Sequence, residues 1–144
     1  MLRRRRYFSG RRIDGSRLPD ITWLRPDGRP MSPDAWILPN VHELGVLLAD
    51  EAEAPAEREA GEVCGLLILI NGRRAPLSFN LPTLPFDQVK WQVLLDSRDP
   101  AIPEHPLAEG QGRYEAVAAS VVVLRFAAQG PTMAAYQEHM ESAR

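Results

Sequence analysis

Apolar positions along this chain fall in short runs bounded by proline, glycine and polar residues, and sustained helical spacing is absent from its middle. HELGVLL (42–48) opens a series of predicted strands. VCGLLILI (63–70) is apolar throughout and bounded by turn residues, which predicts a strand covered on both faces. PLSFNL (76–81) alternates as a half-buried strand does. Between these two, NGRR predicts a tight hairpin, because Asn-Gly supplies the positive φ values of the favoured turn. KWQVLLD (90–96) places Trp91, Val93 and Leu95 on one predicted face, with Trp91 in the core. ASVVVLRF (119–126), rich in β-branched residues, closes the series.

The remaining stretches read as connections. DEAEAPAEREAGE (50–62) has no large apolar residue and six acidic ones, so it predicts a solvated loop between two strands. RDPAIPEHPLAEGQG (98–112) is a second polar loop, and the tail PTMAAYQEHMESAR is expected to be a short helix or a frayed end. Nearer the N-terminus, RPDG (25–28) and SPD (32–34) are turn sequences, in which proline presets φ and glycine supplies a positive φ. Ser32 caps a short predicted helical turn over Pro33, Asp34, Ala35 and Trp36. Strands separated by turns without intervening helices predict an all-β antiparallel sandwich, preceded by an irregular N-terminal segment. The expected organisation is a connecting segment over 1–40, a β-sandwich domain over 41–126 and a tail over 127–144.

Composition changes this picture mainly by exclusion. A chain of 144 residues, 44% hydrophobic and 25% charged, suits one globular domain with a real core, and it is too short for a (β/α)8 barrel of roughly 250 residues. No apolar run approaches the roughly 20 residues that cross a bilayer, and MLRRRRYFSG lacks the apolar stretch of a secretion signal. The expectation is a cytoplasmic protein with no membrane partner. Cys64, the single cysteine, lies in an apolar run and is expected to be a buried thiol; His42, His105 and His139 lack ligand-like spacing, so no metal or other cofactor is expected. Residues 1 to 29 hold nine arginines against three aspartates, a net charge of +6, which leaves −8 on the remainder. Arg3–Arg6 with Tyr7 and Phe8 suggest a nucleic-acid arm, but the acidic body and the lack of any accompanying motif weigh against a nucleic-acid partner.

Candidate chemistry is sparse. Trp23, Trp36 and Trp91 are the aromatic faces on which sugar rings could stack, against the plainer reading of core packing; Trp23, between Ile21 and Leu24, is expected to be buried and Trp36 more open. The sequence offers no nucleophile elbow, phosphate loop or choosable acid and base pair. Asp14, Asp20, Asp27 and Asp34 read as turn and arginine partners.

Taken in order, RRRRYFSGRRIDGSRLPDITWLRPDGRPMSPDAW, HELGVLLADEA, LLILINGRRAPLSFNLP, WQVLLD and ASVVVLRF resemble the C-terminal end of bacterial glycogen debranching enzymes of the isoamylase type, in the α-amylase superfamily of glycoside hydrolases. The most specific part is DITWLRPDG followed by Met31, Asp34 and Trp36. The resemblance implies an accessory β-sandwich whose partner is a (β/α)8 barrel that hydrolyses α-1,6-glucosidic branch points. It implies that this chain holds none of the catalytic residues, which lie on barrel strands, and is inactive by itself. The alternatives are a stand-alone α-glucan-binding module, with Trp36, Tyr7 and Tyr114 as substrate-binding residues, and an interaction subunit docking through its basic head. Without a barrel, Phe8, Ile13, Ile21 and Trp23 form an apolar segment expected to drive homodimerisation.

Overall fold

The apolar runs pair into two antiparallel sheets. The structure is a computed structural model and describes residues 10, 18–50, 62–101, 103–108 and 110–129. In chain order its elements are β1 (Ile21–Leu24), α1 (Pro33–Trp36), β2 (Glu43–Asp50), β3 (Glu62–Asn71), β4 (Leu77–Asn80), β5 (Asp87–Asp96), β6 (His105–Pro106), β7 (Arg113–Ala116) and β8 (Ser120–Gln129). The large sheet has the order β1-β2-β3-β8-β5-β6, and β4 pairs with β7 in a small second sheet. The sandwich expected from the sequence is borne out.

Period-two alternation decides which side chains meet between the sheets. Leu47, Leu67 and Leu124 are cross-strand neighbours, as are Leu69 and Val122, and Trp91 lies opposite Phe126. They face Phe79 and Ala116 of the small sheet, and together these residues make the core. The Trp91 and Phe126 rings lie 5.6 Å apart, so Trp91 packs on the core while remaining partly open. Gly65 also belongs to this inner face, and a Cβ there would meet the Leu48 carbonyl oxygen at 2.2 Å and the Phe126 ring at 2.4 Å. Only glycine lets β2 and the Phe126 ring close over that point.

The NGRR hairpin is not formed. β3 and β4 do not pair, and the chain instead crosses from one sheet to the other at Asn71, whose buried side chain governs the crossing. Its amide nitrogen is 3.0–3.1 Å from the carbonyl oxygens of Ala75, Ala116 and Val117, and its oxygen accepts from the Arg73 amide at 3.0 Å. The Asn-Gly pair thus serves as a sandwich corner, a role that local turn chemistry alone does not distinguish from a hairpin. At the same corner Arg73 forks onto the Glu43 carboxylate through Nε, at 2.7 Å, and Nη2. That hydrogen bonding holds the Glu43 carboxyl below its ordinary range, against the opposing effect of burial.

The RPDG turn forms as expected. Gly28 has φ 82° and donates to the Arg25 carbonyl at 3.0 Å, while Asp27 accepts from the Arg29 amide at 2.9 Å. Its tip is fastened to the small sheet, because Asn80 donates its backbone N–H to the Pro26 carbonyl at 2.8 Å. Ser32 caps α1 by accepting from the Ala35 amide at 3.2 Å.

Other local expectations are revised. Leu95 does not share a face with Trp91 and Val93, because a register shift after Val93 pairs it with Val123 on the opposite face. Trp23 is 41% exposed rather than buried, since its strand turns Ile21 and Trp23 to the side away from the core. Ile21–Leu24, read as part of a connecting segment, is an edge strand paired with β2, and the final strand continues past Phe126 to Gln129. The polar loop over 98–112 contains the two-residue strand β6. The acidic stretch over 50–62 lies largely outside the described residues, as does the tail beyond 129.

Candidate functional site

Strands with one solvated face should carry polar residues on alternate positions. The outer face of the large sheet does not. Register places Trp23, Val46, Ile68, Val123 and Leu95 in one row that crosses five strands. On one side of it runs Leu44, Ile70 and Val121; on the other, Ile21, Leu48 and Leu66 continue into Arg125 and Gln92. The face is apolar because β2, β3 and β8 are apolar at consecutive positions, the pattern that the VCGLLILI run already displayed.

The small sheet lies on the inner face, and among the described elements only α1 reaches the outer one, at its margin. There the Trp36 ring meets Trp23 edge-on with centroids 5.7 Å apart. Trp36 is 51% exposed, and the segment after it leaves Ile37 79% exposed, with Leu38 and Val41 also open. At the far end Leu95 and Val121 are exposed, and Ile68, Leu66, Ile70 and Val123 are only half-buried. Val46, Ile21 and Cys64 are the buried members of this face.

Of the three proposed glucan contacts, the two among the described residues, Trp36 and Tyr114, do not lie together. Trp36 stands at the margin of the outer face. Tyr114 belongs to the small sheet, packs against the core and donates its hydroxyl to the Asp96 carboxylate at 2.9 Å. Burial and that hydrogen bond push its pKa up to about 12. Tyr7 lies outside the described residues. Sequence reasoning missed Leu95, Val121 and the Ile37–Leu38 pair as surface residues, although the unbroken apolar run VVVL was a signal available for Val121.

Catalytic chemistry finds little to use. Among the described residues no group of three or more His, Cys, Asp or Glu is arranged to hold a metal ion. Asp27 is paired with Arg25, Glu43 with Arg73 and Asp96 with Tyr114, while buried Asp20 accepts from the Gly10 and Ile21 amides. Two open grooves, about 620 Å3 beside His42, Arg73 and Arg74 and about 600 Å3 between Trp91 and the Pro106–Gln111 loop, gather no nucleophile with a base. Among the described residues no helix is long and apolar enough to cross a membrane.

No family model matches the chain. Two proteins described as glycogen operon protein GlgX homologues, one from Mycobacterium bovis and one from Mycobacterium tuberculosis, are each 30% identical to it over 130 residues. The alignment takes in 87% of this chain and 18% of each relative, so the chain spans about a fifth of their length. The resemblance carried by the order of the motifs is borne out: along most of its length, this chain is similar to one part of the GlgX homologues.

Proposed function

We propose that this chain is the C-terminal accessory β-sandwich of a glycogen debranching enzyme of the isoamylase type, working in the cytoplasm on α-1,6-glucosidic branch points. The chemistry belongs to a catalytic barrel outside the chain, and the sandwich supports that barrel and the walls of its cleft. The observation that carries this reading is the similarity to the GlgX homologues along 87% of the chain against 18% of theirs. A sandwich with no gathered acid and base among its described residues agrees with an accessory part. Of the residues named as glucan contacts, Trp36 is the described one whose ring is open, and we assign any direct contact with the polysaccharide to it.

The test is release of reducing ends from glycogen. The isolated chain is expected to match a buffer blank. Exchanged for the matching stretch of the M. tuberculosis homologue, it is expected to leave a chimera that folds and hydrolyses branches. Hydrolysis by the isolated chain would falsify the accessory role.

A further inference from the structure

We infer that the groove of about 600 Å3 between Trp91 and the loop after β6 binds a short run of α-glucan, as a site that holds the polymer without acting on it. The choice of ligand rests on the accessory reading above, and the choice of site rests on the groove itself. The small sheet meets the large one over β3 and β8, so the loop over 106–111 is what covers the inner side of β5. Two backbone bonds shape that loop. The Leu107 amide donates to the Trp91 carbonyl at 3.0 Å, and the Gln111 amide donates to the Ala108 carbonyl at 3.0 Å in a turn where Gly110 has φ 75°. The space left between loop and strand falls within the roughly 300–1,000 Å3 of small-ligand sites.

Its lining joins an aromatic ring to amides. Trp91 packs on Phe126 of the core with ring centroids 5.6 Å apart, yet it stays half-buried, which leaves indole surface to the groove. Gln88 and Gln111 line the same groove and are exposed. Gln111 donates one N–H to the Arg113 carbonyl at 2.9 Å, so its amide oxygen and second N–H are left for a ligand. Gln88 lies where β5 shifts register against β8 between Asp87 and Lys90, and its φ of 53° is one that a residue other than glycine seldom adopts. Bulges of this kind re-aim side chains, and strained backbone gathers where ligands are held. The described lining has one charged residue, Lys90, and no carboxylate, which suits a neutral ligand. A pyranose ring is such a ligand: its C–H face lies on an indole while amides bridge its hydroxyls. The contact given to Trp36 was chosen among residues named from the sequence. The groove adds Trp91, which the sequence pattern placed in the core, and it lies on the opposite side of the large sheet from Trp36.

The test titrates the isotope-labelled 144-residue chain with maltoheptaose, a linear α-glucan, and follows the three indole N–H resonances, with Trp91→Phe identifying that of Trp91. The Trp91 resonance is expected to shift and saturate. Trp91→Ala is expected to weaken binding at least about tenfold, and Trp36→Ala to leave it unchanged. Gln88→Gly removes the amide and suits the backbone, so it is expected to weaken binding about fivefold while the chain stays folded. Should Trp91→Ala fail to fold by circular dichroism, Gln88→Gly and Gln111→Ala decide the matter. Binding that these groove variants leave unchanged, or that Trp36→Ala abolishes, would overturn the choice of groove. No binding by the unaltered chain would overturn the inference, while hydrolysis of glycogen by the chimera described above would keep the accessory role standing. Binding at the groove together with a folded but inactive chimera would overturn the accessory role and leave the site in place.

Discussion

Asn71 ties the crossing between sheets to the turn before β8 through contacts with three carbonyl oxygens and one amide. Replacing it with alanine strips partners from buried backbone groups, each of which is costly when left unmade, so Asn71→Ala is expected to cost about 3 kcal/mol in a urea unfolding titration. A loss below about 1 kcal/mol would mean that water replaces the amide there. Tyr114 is a second pin. Its pKa is raised to about 12 from 10.0, so the folded state favours the neutral phenol. The resulting stability is fully present below the unfolded value and disappears as pH rises from about 10 toward about 12. Tyr114→Phe should cost about 1 kcal/mol at neutral pH and flatten the alkaline loss; tyrosinate absorbance that shows no late-titrating group in the parent would contradict the hydroxyl's partner.

The strands follow from alternation and β-branching, yet what each contributes depends on register. In β5 a single shift after Val93 sends Leu95 to the outer face and turns Asp96 toward Tyr114, converting a predicted three-residue core stripe into part of two different surfaces. Nothing within KWQVLLD marks that shift, since it arises from pairing with β8 some 30 residues later in the chain. Gly65 in β3 is similar: its small size matters only because Leu48 and Phe126 arrive from other strands. Gly65→Ala is expected to lower stability by about 3 kcal/mol, the upper end for overpacking, because one obstacle is backbone. Thermal unfolding within 2 °C of the parent, less than the shift of roughly 4 °C expected from even a 1 kcal/mol loss in a domain of this size, would show that β2 can slide away at little cost.

For the whole molecule, the inner face is closed by the small sheet and the outer face carries an apolar surface of several strands. Exposed positions on that outer face should tolerate charge in the isolated chain. The double variant Leu95→Lys with Val121→Lys is expected to change unfolding free energy by no more than about 0.5 kcal/mol and to reduce binding of an apolar fluorescent dye. A collapse of stability instead would place both side chains in a covered interior. Between β1 and α1, the RPDG turn and the Trp23–Trp36 contact set the course of the chain.

Much of the fold was legible in the sequence. Apolar runs bounded by turns specified an all-β chain, the positive φ of Gly28 and the Ser32 cap follow from local backbone chemistry, and the order of motifs carried the resemblance that the GlgX homologues bear out. Such features depend on a few neighbouring residues, so a linear reading suffices. Tertiary structure decided the rest: that Asn71 turns a corner between sheets, that Ile21–Leu24 joins the large sheet, that Trp23 faces outward and Tyr114 inward, and that Leu95 changes sides. These outcomes depend on which distant strands become neighbours and in what register. Strand partners are chosen by the burial of the whole core, and that choice is written in no single segment.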